Sequence, residues 1–235
     1  MSNSPLVSYT KLSPNHSGKR AIDTISIHCM AGNLSVERCG ELFQNKERQA
    51  SSNYGIGSDG RIGLYVDEAN RSWCTSSASN DNRAVTIEVA NTVAKDPVSD
   101  AAYKSLIDLL VDICQRNGIP RLLWKGDKNL VGQVDRQNMT VHRWFAAKAC
   151  PGDWLYSRHG QIAAEVNKRL EAAKAGKDEE TMDTKQLTSC ADTGDNPSAW
   201  AKEATDYCKR KGIFAGDGAG NYGWQKPITR EATAQ

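Results

Sequence analysis

The chain has 235 residues, 30 Lys and Arg against 28 Asp and Glu, a formal charge of +2 and 39% hydrophobic side chains. That apolar fraction is ample for a packed interior, and near-neutrality excludes a protein whose main task is coating nucleic acid, which needs a concentrated basic footprint to displace counterions. The longest apolar stretches, such as Leu106 to Val111 broken by Asp108, fall far short of the ~20 residues of a membrane-spanning helix, so no membrane partner is expected.

In chain order, Met1-Ser2-Asn3-Ser4-Pro5 has neither a basic leader nor an apolar segment, so synthesis in a bacterial host cytoplasm without a signal peptide is expected. From there to about residue 172 strand-like and helix-like patterns alternate, which predicts an α/β domain with helices packed on a sheet. Asp23 to His28 alternates with period two, setting Ile25 and Ile27 on one face and Ser26 and His28 on the other. Ser35 is placed to cap a helix whose buried stripe is Val36, Cys39 and Phe43. Asn53 to Gly57 and Arg61 to Val66 read as a hairpin turning through Ser58-Asp59-Gly60. Ala84 to Ala90 alternates again, with Val85, Ile87 and Val89 inward and Glu88 on the opposite face. Ala102, Leu106, Leu110 and Ile113 recur at helical spacing over Asp100 to Asn117, ended by Gly118 and Pro120. Pro120 to Lys125 reads as a further strand, and Gln161 to Ala173 as a closing helix.

Residues 1–173 are therefore expected to be one domain. Residues 174–196 lose periodicity and carry six acids against three lysines, the composition of a solvated linker. Residues 197–235 are expected to be a small, mostly helical module, with Ser198 capping a helix through Lys211 and Thr229 a last turn. At ~40 residues such a module is near the lower limit for folding alone, so docking or self-association is expected.

The seven cysteines, at 29, 39, 74, 114, 150, 190 and 208, are odd in number, irregular in spacing and without a CxxC pair. They read as thiols, and any metal site must be assembled from distant residues. Thr140 to Gly152 holds His142, Lys148 and Cys150 in a short span. His142 and Cys150 are eight apart, which does not set them on one helical face, and that spacing alone is weak evidence. With His28 on the polar face of the early strand, two imidazoles and a thiolate would leave tetrahedral zinc one open position, the mark of a catalytic site. Taken singly, a cysteine before a proline is a small core residue and a lone histidine is structural. Cys29 and Cys39 read as buried hydrophobes, while His16 and His159 have no partner pattern. Trp73, Trp124 and Trp144 are candidates for lining a groove or for buried packing, and the polar stretch 75–82 is a candidate recognition loop.

With these residues in place, the chain resembles the zinc-dependent N-acetylmuramoyl-L-alanine amidases, a family shared by phage endolysins, bacterial anhydro-muropeptide amidases and animal peptidoglycan recognition proteins. Four blocks carry the resemblance in order: Ile27 to Gly32, Asn53 to Gly57 with Asp59-Gly60, Thr86 to Asn91, and His142 to Pro151. It implies a central mixed β-sheet flanked by helices, Zn2+ held by His28, His142 and Cys150, and cleavage of the amide between N-acetylmuramic acid and L-alanine in bacterial peptidoglycan. It further implies that Lys148 stabilises the oxyanion, that Glu88 orients or deprotonates the water, and that Tyr54 lines the zinc site; taken by themselves these are a surface lysine, an exposed strand residue and a core aromatic. The C-terminal stretch, with Trp200 to Ala204, Gly212-Ile213-Phe214 and Pro227 to Ala232, resembles one S-layer homology repeat, which implies a cell-wall glycan partner or a homo-oligomer. The expected protein is a phage or prophage endolysin acting on the wall after release. The other readings are a non-catalytic peptidoglycan-binding protein of the same fold and a cysteine hydrolase using Cys150 with His142.

Overall fold

The computed structural model describes residues 2–19, 21–91, 97–188, 201–211 and 213. Contacts divide the chain into two units, Met1–Ala173 and Lys174–Gln235. In order, the elements are β1 (Tyr9–Thr10), β2 (His16–Lys19), β3 (Thr24–Cys29), α1 (Val36–Leu42), β4 (Tyr54–Ile56), β5 (Ile62–Leu64), β6 (Asn70–Ser72) and α2 (Ala78–Asp81). They continue with β7 (Ala84–Val89), α3 (Asp100–Asn117), β8 (Met139–Thr140), α4 (Gly152–Thr188) and α5 (Lys202–Arg210).

The alternating runs become the middle of the sheet. Six strands lie in the order β1-β5-β4-β7-β3-β8, while β2 and β6 form a separate antiparallel pair. Within the six, β4 and β5 are antiparallel and every other pairing is parallel, so the sheet is mixed, with helices flanking it. Ile25 and Ile27 of β3 and Val85, Ile87 and Val89 of β7 share one buried cluster with Leu106, Leu110 and Ile113 of α3 and Ile162 and Val166 of α4. A smaller cluster joins Cys39 of α1 to Met30, Phe43, Tyr65 and Ala90. Ser26, His28 and Thr86, on the other parity of the same strands, are buried as well, so both sheet faces are covered.

Local chemistry sets the boundaries. Ser35 accepts the Arg38 N–H at 3.2 Å to start α1, and Ser99 accepts the Ala102 N–H at 3.1 Å to start α3. Gly118, at φ 68°, returns its N–H to the Cys114 carbonyl and ends α3 as a left-handed cap. The β4–β5 hairpin closes through Gly60 at φ 83°. Across it Gly55 pairs with Gly63, and the Tyr65 ring fills the space both leave: a Cβ on either would meet the Tyr65 hydroxyl oxygen at 2.8 Å or less.

Two expectations are corrected. Residues 120–125 are not a strand. Their backbone groups are taken instead by side-chain amides: Asn167 and Asn138 accept the Leu122 and Leu123 N–H groups, each at 2.7 Å, and Gln137 accepts the Lys125 N–H at 3.0 Å. The closing helix is longer than its apolar stripe, beginning at Gly152 and running to Thr188, so residues 174–188 of the expected connector are helical. In the second unit the helix expected from Ser198 to Lys211 appears as Lys202–Arg210, with Lys202 and Asp206 paired at 2.9 Å. Ser198, Trp200, Gly212, Phe214 and the stretch 227–232 lie outside the described residues. No helix among the described residues is long and apolar enough to cross a membrane.

Candidate metal centre

Because β3, β4, β7 and β8 run the same way, their carboxyl ends open on one side, where α/β sheets place ligands. His28 and Glu88 are penultimate residues of β3 and β7 and face each other in register. His142 starts a single 3₁₀ turn just past β8, and Cys150 closes the loop before α4. One donor atom each from His28, His142 and Cys150 lie within 4.8 Å of one another.

Within this group His28 Nδ1 lies 3.4 Å from Cys150 Sγ. Bonds of about 2.0–2.3 Å to a shared tetrahedral ion set donors roughly 3.3–3.8 Å apart, so this edge fits. The Cys29 N–H also points at the sulfur, 3.4 Å away. The rings of His28 and His142 are 5.3 Å apart. Burial, then the neighbouring His142 and His159, hold the His28 pKa down at about 3, so its ring is neutral. Burial and the Lys148 ammonium lower that of His142. The Cys150 thiol is pushed up by contact with the Cys29 thiol, by burial and by Glu88, which disfavours a thiolate nucleophile; it pairs with His28, not with His142 as the cysteine-hydrolase reading requires. Two neutral imidazoles and a thiol are the donor chemistry that suits zinc, whose charge offsets the cost of the thiolate.

Beside the three donors a cleft of about 440 Å³ is lined by Arg48, Arg71, Trp73, Cys74, Ser76, Asp81, Glu88, His142 and Lys148 among others. The structure thus brings Lys148, an exposed residue, and Glu88 to the same place as the donors. Burial, reinforced by Cys29, raises the Glu88 pKa to about 8. Its Oε2 has no hydrogen-bond partner among the described residues. Trp73 reaches the cleft, whereas Trp124 and Trp144 stack on each other with centroids 5.1 Å apart.

Tyr54 does not join the site. In register it pairs with Ile87, on the core face, and it is Gly55 that lies opposite Glu88. Its phenol donates to Glu68 Oε1 at 2.5 Å and accepts the Ser4 N–H at 2.9 Å. Glu68 is in turn held by Arg116 at 2.6 Å and Asn117 at 2.9 Å. The role expected for Tyr54 at the metal is therefore withdrawn, because the parity of its strand aims it away.

Three residues were not singled out from sequence. Cys74 lies 3.7 Å from Glu88 Oε1 and forms a second donor group with His28 and Glu88. Ser76, at φ 64°, places its hydroxyl 3.2 Å from His142 Nε2. Ser26 sits 3.0 Å from His28 Nε2. The Cys74–Ser77 turn is fixed by Asp81, which accepts the N–H groups of Cys74 at 3.0 Å and Thr75 at 3.1 Å and the Thr75 hydroxyl at 2.6 Å. The signal for Ser26 is the same-face spacing with His28, and Ser76 lies in the polar stretch 75–82 that reads as a recognition loop; nothing local marks Cys74.

Fold and site define a class: an α/β protein built on a mixed six-stranded sheet, with a His, His, Cys cradle at the carboxyl ends of its parallel strands. Residues 18–153, more than half of the chain, match the family model described as N-acetylmuramoyl-L-alanine amidase, and the chain belongs to that family. Among curated proteins, none matches the sequence. Among solved structures, the endolysin N-acetylmuramoyl-L-alanine amidase LysCS from Clostridium intestinale URNW is similar at 20% identity and TM-score 0.51, over 71% of this chain and 99% of that one. An AmpD derivative aligns at 19% identity and TM-score 0.52, over 68% of this chain and 96% of that one. PlyL aligns at 13% identity and TM-score 0.52, over 67% and 95%. These likenesses establish the shared fold.

Proposed function

We propose that the chain is a zinc-dependent peptidoglycan hydrolase that cleaves the amide between N-acetylmuramic acid and L-alanine, an endolysin of phage or prophage origin acting on the wall after release. The observation that carries this reading is the convergence of two neutral imidazoles and a thiol beside a cleft that also holds a half-buried carboxylate and an exposed ammonium. His28, His142 and Cys150 would hold the ion. Zinc, when bound, supplies Lewis-acid activation of water and of the scissile carbonyl. Glu88, half-buried at the cleft wall, would take the proton from the attacking water in its ionised form, which a bound divalent cation favours, and deliver it to the leaving alanine nitrogen. Lys148 meets the negative charge that develops on the carbonyl oxygen. Arg48 and Arg71 make the cleft wall cationic, which suits a peptide carrying carboxylates.

We further propose that residues 197–235 bind wall glycan or associate with copies of themselves, tethering the catalytic unit to an insoluble polymer and raising its effective concentration there.

The test is release of new L-alanine amino termini from purified walls, with and without a chelator, together with zinc content of the wild type, His28→Ala and Cys150→Ala. Loss of release on chelation, restored by zinc, and loss of the ion in both variants are expected. Wall binding with no bond cleavage at any zinc concentration would select the non-catalytic binder instead.

A further inference from the structure

We infer that Ser26 is a positioning residue that fixes the tautomer of His28 and so presents Nδ1, as a bare lone pair, to the metal; this rests on the zinc reading above. A neutral imidazole carries one proton, and which nitrogen bears it is set by the partner of the other. His28 is completely buried, so each ring nitrogen must be satisfied by protein. Nδ1 faces Cys150 Sγ at 3.4 Å, on the side where the donors converge. Nε2 faces the Ser26 hydroxyl oxygen at 3.0 Å.

What decides the direction of that bond is the hydroxyl's own proton. Ser26 donates to the Thr140 carbonyl at 3.3 Å. That carbonyl is held in place because Ser26 and Thr140 are register partners in the parallel β3–β8 pairing. With its proton given to the carbonyl, the oxygen has only lone pairs left for the ring, and Nε2 must be the protonated nitrogen. The relay runs from His28 Nε2–H to Ser26 Oγ and from Ser26 O–H to the Thr140 carbonyl. Reversing it would move the ring proton to Nδ1, between the imidazole and the sulfur, where it would block an ion. Strand geometry makes the relay possible, since residues 26 and 28 lie on the same face of β3. A hydroxyl thus does for His28 what a carboxylate or carbonyl does for most metal-bound histidines, and such outer partners typically affect metal affinity by roughly 10–100-fold.

Two measurements test this. The first is ¹⁵N–¹H NMR of the histidine rings in the metal-free wild type, which reads the tautomer directly. His28 is expected as the Nε2–H form, and in Ser26→Ala its signals should shift toward a mixture of both forms. The second is zinc affinity by competition with a chromophoric chelator, where Ser26→Ala should bind about 10–100-fold more weakly than wild type, with thermal unfolding of both metal-free proteins as the control for folding. A wild-type ring found as Nδ1–H, or a folded Ser26→Ala that binds zinc as tightly as wild type, would overturn the inference. A wild type that binds no zinc would instead sink the functional reading, and the tautomer measurement would still decide the relay.

Discussion

Lys148 and Tyr54 show how differently two expected site residues fare once placed. Lys148 lines the cleft beside His142 and Glu88, yet it is exposed and supports no packing. Lys148→Ala should therefore lower kcat by about 10²–10³-fold, the scale of losing one group that stabilises an oxyanion, with zinc content and unfolding midpoint unchanged. Tyr54 is the reverse case. Its hydroxyl serves Glu68 and Ser4 in the interior, so Tyr54→Phe should leave wall hydrolysis within about twofold while costing about 1–2 kcal/mol in a denaturant titration, since a buried carboxylate loses a donor. The cradle was legible mainly through the resemblance: a spacing of eight between His142 and Cys150 means little until a turn after β8 folds the two together. For Tyr54 the bare residue reads correctly as a core aromatic and it is the resemblance that misplaces it, since the alternation that puts Ile56 inward puts Tyr54 inward too. Ser76 was legible only as part of the polar stretch 75–82 and Cys74 not at all, because their approach to His142 and Glu88 depends on Asp81 holding a turn that no local pattern announces.

Among the elements, those with several periods or a strong cap were readable. The strands β3 and β7, the β4–β5 hairpin and α3 appear close to where alternation, Gly60, helical spacing and Gly118 set them. The two-residue strands β1 and β8 are too short to show a period, and they exist because a neighbouring strand offers them a ladder. The hairpin also carries an overlooked constraint. Gly55 and Gly63 are needed less for turning than for admitting the Tyr65 ring, whose hydroxyl donates to the Val36 carbonyl at 2.7 Å and so ties the hairpin to α1. Gly63→Ala would place a Cβ at 2.6 Å from that hydroxyl oxygen. The variant should be destabilised by about 1–3 kcal/mol, or by more if the ring cannot shift, read as a lowered unfolding midpoint.

For the unit Met1–Ala173 as a whole, acid stability depends on a histidine outside the cradle. His159 on α4 is fully buried, with Nδ1 donating to the Leu155 carbonyl at 2.8 Å and Nε2 without a partner among the described residues. Burial, helped by the Arg143 charge, holds its pKa at about 4 against 6.5. The folded state therefore favours the neutral ring: the contribution is fully present above pH 6.5 and is lost as pH falls toward 4. Between pH 7 and pH 5 this amounts to about 2 kcal/mol. His28 titrates in the same direction in metal-free protein, so the informative quantity is the difference between wild type and His159→Gln. The variant should show a flatter dependence of its urea midpoint on pH by that amount.

The amide side chains that fasten residues 121–125 also bear on how the molecule behaves when concentrated. Strand β8 is the last in its sheet, and an outermost strand with vacant backbone groups invites an extended peptide from a neighbouring molecule to add to it. Here Asn138 gives its own backbone N–H to the Leu123 carbonyl at 3.2 Å and its side-chain amide to the Arg121 carbonyl at 2.9 Å, so the margin beside β8 is spoken for within the same chain. Asn138→Ala would untie that seam, and growth of fibrillar or oligomeric species during storage is where the change would surface first.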